Sequence, residues 1–261
     1  MSNPLKLSVS KCKVFSSCRK KYEFNYVIKL PKVDRDYHIF GKCLHKALED
    51  FHQMYINGWL LGSSEAMKIA WKTAKTEYAS RMTSEAIKEC FDILSGYLKL
   101  VSEKPKSFLT GVVSAEQAFD FPLADNVILN GFIDKVQIED DGVLLISDYK
   151  STKNKKYLQD DWFQLQTYAF VIMSQRPELK KVRAAYTMLR HNFENITKEI
   201  TREEAMAVKD QYLAYAADIN SATEYPATTS ALCRMCDFID HCKEGQAAVY
   251  GPQQYGEIKW S

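Results

Sequence analysis

The chain has 261 residues, of which 46% are hydrophobic and 26% are charged, a composition that is typical of a folded globular protein and excludes intrinsic disorder. The 35 Lys and Arg residues nearly balance the 33 Asp and Glu residues, so any binding to nucleic acid must use local basic patches. No segment approaches the roughly 20 apolar residues of a membrane helix or resembles a signal peptide, so we expect a cytoplasmic protein without membrane contacts.

The first 32 residues are basic, with eight Lys or Arg residues and one Glu. Aromatic residues interleave with these charges, and Ser8 or Ser10 is suited to cap a helix N-terminus. Such a pattern is typical of a channel for single-stranded DNA. An amphipathic helix with a solvated basic face and core aromatics is the alternative. The basic residues predicted here to contact DNA are Lys11, Lys13, Arg19, Lys20 and Lys21.

The next elements are predicted to be helices followed by strands. Residues 39–103 have helical periodicity, interrupted at Gly58 and Gly62. Three apolar segments separated by turn signals then predict consecutive antiparallel strands, at residues 112–121, 127–138 and 143–149. A helix, two strands and a last helix are predicted at residues 158–175, 181–190, 194–200 and 201–219. This order predicts an α/β or α+β fold with a mixed sheet flanked by helices.

Two of these strands carry charges on an apolar face. Side chains alternate along a strand, so Asp148 and Lys150 share a face with Ile146. If the preceding strand forms a hairpin with this one, the carboxylate of Asp134 converges with that of Asp148. Converging carboxylates repel each other unless a cation neutralises them, and oxygen ligands suit Mg²⁺ or Mn²⁺. With a lysine nearby, they favour phosphodiester hydrolysis over the alternative of a surface Asp–Lys pair.

The order Asp134, then Asp148-Tyr149-Lys150, resembles the PD-(D/E)XK nuclease superfamily. Two further motifs resemble its RecB-like branch: G-x-x-x-H at residues 41–45 and Q-x-x-x-Y at residues 164–168. The resemblance extends over most of the chain and implies a restriction-endonuclease-like core.

The resemblance also implies roles for individual residues. The residues that it places in the active site are His45, Glu116, Asp134, Asp148, Lys150, Gln164 and Tyr168. The histidine and the two aspartates would ligate Mg²⁺ or Mn²⁺, and the lysine would assist the attacking water. The glutamine and the tyrosine would support the site or contact nucleic acid. The glutamate matches one that the family often carries on the strand before the first aspartate.

Some of these residues have simpler interpretations. His45 could be a core histidine, or it could join Glu49 and His52 in a local metal site along one helical stripe. A second basic group follows the lysine strand and is suited to hold phosphates of the scissile strand. Its members are Lys150, Lys153, Lys155 and Lys156.

Seven cysteines without a secretion signal do not indicate a disulfide framework. Three of them lie close together as Cys233-x2-Cys236-x5-Cys242, which favours a metal or an iron–sulfur cluster. The iron–sulfur members of the RecB-like branch, such as AddB and the CRISPR-associated nucleases, are similar. The resemblance implies a 4Fe–4S cluster held by these three cysteines and Cys18, with Cys12 as the alternative N-terminal ligand. Zinc on the same four cysteines stays open.

We expect one nuclease domain over residues 1–261. Residues 1–38 and 222–261 would form a lobe joined by the cluster, 39–103 a helical part and 104–221 the catalytic core. The predicted function is a metal-dependent deoxyribonuclease, most simply an exonuclease on single-stranded DNA or DNA ends. Because the sequence has no Walker A loop, we expect a stand-alone enzyme.

The sequence leaves its partners and two other functions open. DNA is the expected partner, while a homo-oligomer and partner proteins of recombination or CRISPR type stay open. One alternative function is a non-catalytic iron–sulfur module for DNA binding or assembly with a nuclease-like fold. The other is a redox protein or small-molecule metalloenzyme whose working centre is the cluster.

Overall fold

The structure is a computed structural model that describes residues 3–32, 35–58, 62–155 and 161–251. Its centre is a six-stranded mixed sheet. The strands are β1 (Leu5–Leu7), β2 (Val112–Ala124), β3 (Val127–Ile138), β4 (Leu144–Lys150), β5 (Lys181–Met188) and β6 (Glu194–Thr201). The first three long strands form an antiparallel meander, β4 and β5 are parallel, and β5 and β6 are antiparallel. The predicted meander and α/β fold class are therefore confirmed.

Helices lie before the meander, between β4 and β5, and after β6. They are α1 (Val9–Ser17), α2 (Arg19–Tyr22), α3 (Asp36–Ile56), α4 (Ser63–Tyr78), α5 (Ser84–Glu103), α6 (Pro105–Phe108), α7 (Phe163–Gln175), α8 (Arg202–Met206), α9 (Val208–Ser221) and α10 (Lys243–Tyr250). A π-helical turn, Glu23–Val27, follows α2. Ser8 caps α1, and Thr201 and Glu204 form the predicted capping box. The predicted last helix is divided into α8 and α9 at Ala207.

The long strand β3 has two different partners along one edge. β2 covers its other edge throughout, so β1 and β4 must share this one. β1 pairs with residues 127–129, and β4 pairs with residues 135–138. Among the described strands, none pairs with residues 130–134 on this edge. The gap leaves an opening in the sheet beside Asp134.

Two hydrophobic cores lie around the sheet. One lies between the sheet and α7, α8 and α9, and includes Ile146 and Phe170. The other is formed by α3, α4 and α5, and includes Leu48 and Tyr97. Tyr149 belongs to the helical core although its strand neighbours pack on the first core, so β4 is buried on both faces. In the part of the chain that is described, no helix is both long and apolar enough to cross a bilayer.

Candidate active site

Three side chains that can ligate a metal converge beside the gap in the sheet. They are His45 on α3, Glu116 on β2 and Asp134 on β3, and their donor atoms lie within 4.8 Å of one another. Nδ1 of His45 is 3.6 Å from Oδ2 of Asp134. The other ring nitrogen of His45 donates to the carbonyl oxygen of Tyr149 at 3.1 Å, which fixes the ring. One imidazole and two carboxylates form a donor set that fits Mg²⁺ or Mn²⁺.

Glu116 reaches this site through a distortion of β2. Its neighbours Ala115 and Gln117 pair with β3, but Glu116 has a φ of +46° and drops out of the ladder. A left-handed φ is unfavourable for a residue with a side chain, and such residues concentrate at functional sites. The sequence pattern alone suggests a solvent-facing glutamate. The distortion has no sequence signal because it does not depend on a glycine.

A second group of polar side chains surrounds Asp148. Nζ of Lys150 lies 2.6 Å from Oδ2 of Asp148. The side-chain amide of Gln164 donates to Oδ1 of Asp148 at 2.6 Å and accepts from Nζ of Lys150 at 2.9 Å. The same amide lies 2.7 Å from the hydroxyl oxygen of Tyr168. Gln164 thereby fixes the carboxylate and the ammonium group relative to each other.

The two aspartates occupy neighbouring but different networks. Oδ2 of Asp134 accepts from the backbone N–H of Tyr149 at 2.6 Å. This contact occurs where the paired register of β3 and β4 ends, at Lys135 and Ser147. The metal ligands expected from the resemblance were His45, Asp134 and Asp148. In the structure the tight donor group contains Glu116 as its third member, whereas Asp148 is bonded to the lysine and the glutamine.

The charges of the site shift the pKa values of its members. Burial lowers the pKa of His45, but Asp134 and Asp148 outweigh it and raise this pKa to about 9. Burial and the charge of Asp134 raise the pKa of Glu116 to about 7. Burial also raises the pKa of Asp148. These shifts have one cause, which is negative charge in a space with little water, and a divalent cation would relieve it.

The predicted basic residues of the N-terminal segment are dispersed. Lys13 lines a cavity that also contains Asp134, Gln164 and Tyr168. Nζ of Lys11 donates to the carbonyl oxygen of Lys6 at 2.8 Å and lies over the rings of two tyrosines. The guanidinium of Arg19 lies over a phenylalanine ring. Lys20 and Lys21 line the cavity that contains the cysteines.

Two of the N-terminal aromatic rings are unavailable for stacking on bases. Phe15 and Tyr22 are buried in the core of the sheet, as the amphipathic-helix interpretation predicts. In the second basic group, Lys155 is paired with Glu194 and the carbonyl oxygen of Lys153 contacts the ring of His191. Lys156 lies outside the described residues.

The N-terminal segment and the tail meet at a cavity lined by four cysteines, which are Cys18, Cys233, Cys236 and Cys242. Backbone N–H groups point at three of these sulfurs. Those of Lys21 and Thr228 donate to Cys18, that of Ser230 to Cys233, and that of Gly245 to Cys242, at 3.3 to 3.5 Å. Within the described chain, no three of the four sulfurs lie within 4.8 Å of one another.

The remaining cysteines and the second helix histidine occupy cores. Cys12 is fully buried, and burial raises the pKa of its thiol to about 12. Cys43 and Cys90 contact each other in the helical core. Nε2 of His52 lies 2.7 Å from the hydroxyl of Tyr97, and burial lowers the pKa of His52 to about 3. His52 is therefore a neutral core residue and does not form a metal site with His45.

Comparison with known proteins agrees with this geometry. The family model of the PD-(D/E)XK nuclease superfamily matches residues 6–243. The chain belongs to this superfamily. It is 26% identical over 166 residues to one of the proteins that form the ATP-dependent helicase/deoxyribonuclease of Streptococcus pyogenes serotype M12, and 25% identical to its counterpart from serotype M6. The match covers 58% of this chain and only 15% of those relatives.

A solved structure also shares the fold. It comes from a protein of Eubacterium rectale that has been suggested to be an exonuclease, with a TM-score of 0.54 and 11% sequence identity. The similarity covers 90% of this chain and 87% of that one. At this identity it shows the fold alone, which is the restriction-endonuclease-like arrangement that the superfamily implies.

Proposed function

We propose that the protein is a divalent-metal-dependent deoxyribonuclease that acts as an exonuclease on single-stranded DNA or on DNA ends. The observation that carries the proposal is the position of the His45, Glu116 and Asp134 donors beside the Asp148–Lys150 pair. Membership of the nuclease superfamily and relatives named as components of a deoxyribonuclease support DNA as the substrate. Mg²⁺ or Mn²⁺ bound by these donors would supply an activated water and neutralise phosphate charge.

The chain's own residues have distinct tasks in this proposal. Lys150 is buried enough to be held in place, because its ammonium group contacts both Asp148 and Gln164. An ammonium group in that position can orient a water or stabilise a phosphate oxygen. Gln164 keeps the lysine and the aspartate in register, and Tyr168 supports the amide from the next turn of α7.

We further propose that the four cysteines around the shared cavity hold a 4Fe–4S cluster. Four thiolates suit such a cluster, and N–H groups directed at sulfur are how proteins tune it. Zinc would need the sulfurs about 3.8 Å apart, given Zn–S bonds of about 2.3 Å. The wider spacing of the cysteines supports the larger cluster over a single ion. A reducing cytoplasm, where we place the protein, preserves such thiolates.

A digestion assay tests the nuclease proposal. Purified protein is incubated with end-labelled linear and with circular single-stranded DNA, in Mg²⁺, in Mn²⁺ and in EDTA. We expect metal-dependent loss of nucleotides from the linear substrate and an intact circle. Cleavage of the circle would contradict the exonuclease assignment. Binding without any cleavage in either metal would favour the non-catalytic alternative.

A further inference from the structure

The gap between β1 and β4 leads to a cavity of 440 Å³ that opens directly onto the proposed metal site. Its walls come from the start of α1, from α7 and from the stretch of β3 that lacks a strand partner on this edge, and include Ser10, Asn130, Phe132 and Asp134. The volume is within the range of small-ligand pockets, which is about 300 to 1,000 Å³. A single nucleotide whose phosphate lies at Asp134 would place its sugar and base in this space.

Phe132 is the unusual member of this cavity. Its side chain is 53% exposed, while Leu129 and Ile133 on the same strand are fully buried. The other aromatic rings of the cavity, Phe119 and Tyr168, are held edge to face against each other with centroids 6.2 Å apart. Among the described residues, Phe132 has no such ring partner. Its apolar face is therefore available to a flat ligand.

Lys13 connects this cavity to a second, larger one. The second cavity measures 710 Å³ and is lined by Lys13, Trp162, Phe163, Lys198 and Tyr215. Lys13 is paired with Asp161 at 2.5 Å, and both side chains are about half exposed. An exposed ion pair contributes little to stability, so a DNA phosphate can take the place of Asp161. The metal site, Phe132 and the second cavity thus form a continuous path with both charges and rings.

We propose that the ring of Phe132 stacks on the base next to the scissile phosphate and makes the enzyme selective for single strands. Stacking on a protein ring requires a base with a free face, and in a duplex both faces are covered by neighbouring bases. The inference rests on the nuclease function proposed above and adds the class of substrate. It also gives Phe132 a positioning role, since the stacked base would hold the phosphate at the metal.

The test combines a variant with abasic DNA. Wild type and Phe132→Ala are compared in kcat/KM on single-stranded oligonucleotides that carry one abasic residue at successive positions. Loss of stacking on one base lowers affinity by a factor of about 5 to 150. We expect that loss in the wild type at one abasic position beside the cut. Phe132→Ala should show the loss with normal DNA and no further loss at that position, and Phe132→Trp should restore cleavage.

Phe91 offers a matched control, because it is a phenylalanine on α5 with 51% exposure. Phe91→Ala should behave as the wild type with every oligonucleotide. Equal losses by Phe132→Ala on normal and abasic DNA would overturn the stacking role, as would a wild type that prefers duplex. If Phe132→Ala changes the oligomeric state and leaves cleavage unchanged, the ring covers a second copy of the chain and the proposal is wrong. A wild type that cleaves no DNA at all instead refutes the proposed function.

Discussion

The amide of Gln164 shows how single residues define this site. It donates to Asp148 and accepts from Lys150, so both of its ends are occupied and its orientation is fixed. The lysine and the aspartate sit two residues apart on one strand, and the glutamine comes from a different element. Their relative geometry is therefore set by tertiary packing between α7 and β4, and small errors in that packing would displace the ammonium group.

Removing any charged member of the site should abolish cleavage. We expect Asp134→Ala, Asp148→Ala and Lys150→Ala each to lower kcat by at least about a hundredfold, since groups of this kind contribute about 10² to 10⁴. The assay is digestion of single-stranded DNA in Mn²⁺, with circular dichroism to check the fold. Asp120→Ala is the control, because Asp120 forms only an exposed ion pair with Lys6. Wild-type rates in all three variants would show that the active site lies elsewhere.

Metal affinity should rise with pH. Glu116 binds a proton below about pH 7 and His45 below about pH 9, and both must lose that proton to ligate a metal. Between pH 6 and pH 8, Glu116 alone should account for about a tenfold rise in Mn²⁺ affinity. Isothermal titration calorimetry in buffers of different ionisation enthalpy measures both the affinity and the protons released.

The variant Glu116→Gln separates this contribution from that of His45. It should bind Mn²⁺ more weakly and lose about a tenfold part of the rise between pH 6 and pH 8, because an amide does not titrate in this range. Glu103→Gln, on the exposed end of α5, should retain the full rise. An identical pH dependence in Glu116→Gln and wild type would exclude Glu116 from the metal site.

At the scale of elements, the sequence was informative wherever a periodic pattern was long. The three meander strands and the helix that precedes the parallel strand were predicted within a few residues of their observed bounds. β1 was not predicted, since its three residues are too few to show a period. That omission matters, because β1 and β4 together create the gap at which the site forms.

The candidate site was predictable in part for the same reason. Asp148 and Lys150 follow from strand alternation, and the structure places them in contact. The position of Glu116 depends on one left-handed backbone angle, and that of Phe132 depends on the missing strand partner. Neither feature has a local sequence signal, so both required the three-dimensional arrangement.

The start of β2 depends on a glycine. Gly111 has a φ of +80°, and a Cβ added there would lie 2.1 Å from the carbonyl oxygen of Ile138. We expect Gly111→Ala to lower the free energy of unfolding by about 2 kcal/mol or more, since backbone strain and a backbone collision act together. Gly142→Ala is the control, with a φ of +78° and no atom within 4 Å of its added Cβ. Urea denaturation should show a clearly larger loss for Gly111→Ala.

At the scale of the whole molecule, the two ends of the chain pack together. The backbone N–H of Lys20 donates to the carbonyl oxygen of Pro226 at 3.1 Å, and the rings of Tyr22 and Tyr225 are stacked. Arg35 contacts Asp237 at 3.1 Å. These contacts bring the cysteines to one cavity although more than two hundred residues separate them in sequence. A cluster there would close a very long loop, which is where a cross-link restricts the unfolded chain most.

Loss of one cluster ligand should therefore destabilise the whole fold. We expect Cys18→Ser, Cys233→Ser, Cys236→Ser and Cys242→Ser to lose iron and to lower the melting temperature by roughly 5 to 15 °C, by analogy with loss of a long-loop cross-link. Activity should fall as well, because α1 carries Lys13 beside the site and is held by the same end of the chain. Iron and sulfide analysis of anaerobically purified protein and calorimetry measure these effects. Wild-type protein with zinc and no iron would decide for the zinc alternative.

The other cysteines provide the controls for this prediction. Cys43→Ser and Cys90→Ser should keep the iron, because both thiols lie in the helical core and do not line the shared cavity. Cys12→Ser is the more demanding control, since Cys12 lies close to Cys18 in sequence but is sealed in the other core. If Cys12→Ser loses iron while Cys18→Ser keeps it, the N-terminal ligand is wrongly assigned although the ends are still joined. If all four ligand variants stay folded, iron-loaded and active, no cluster joins the ends, and packing alone holds them together.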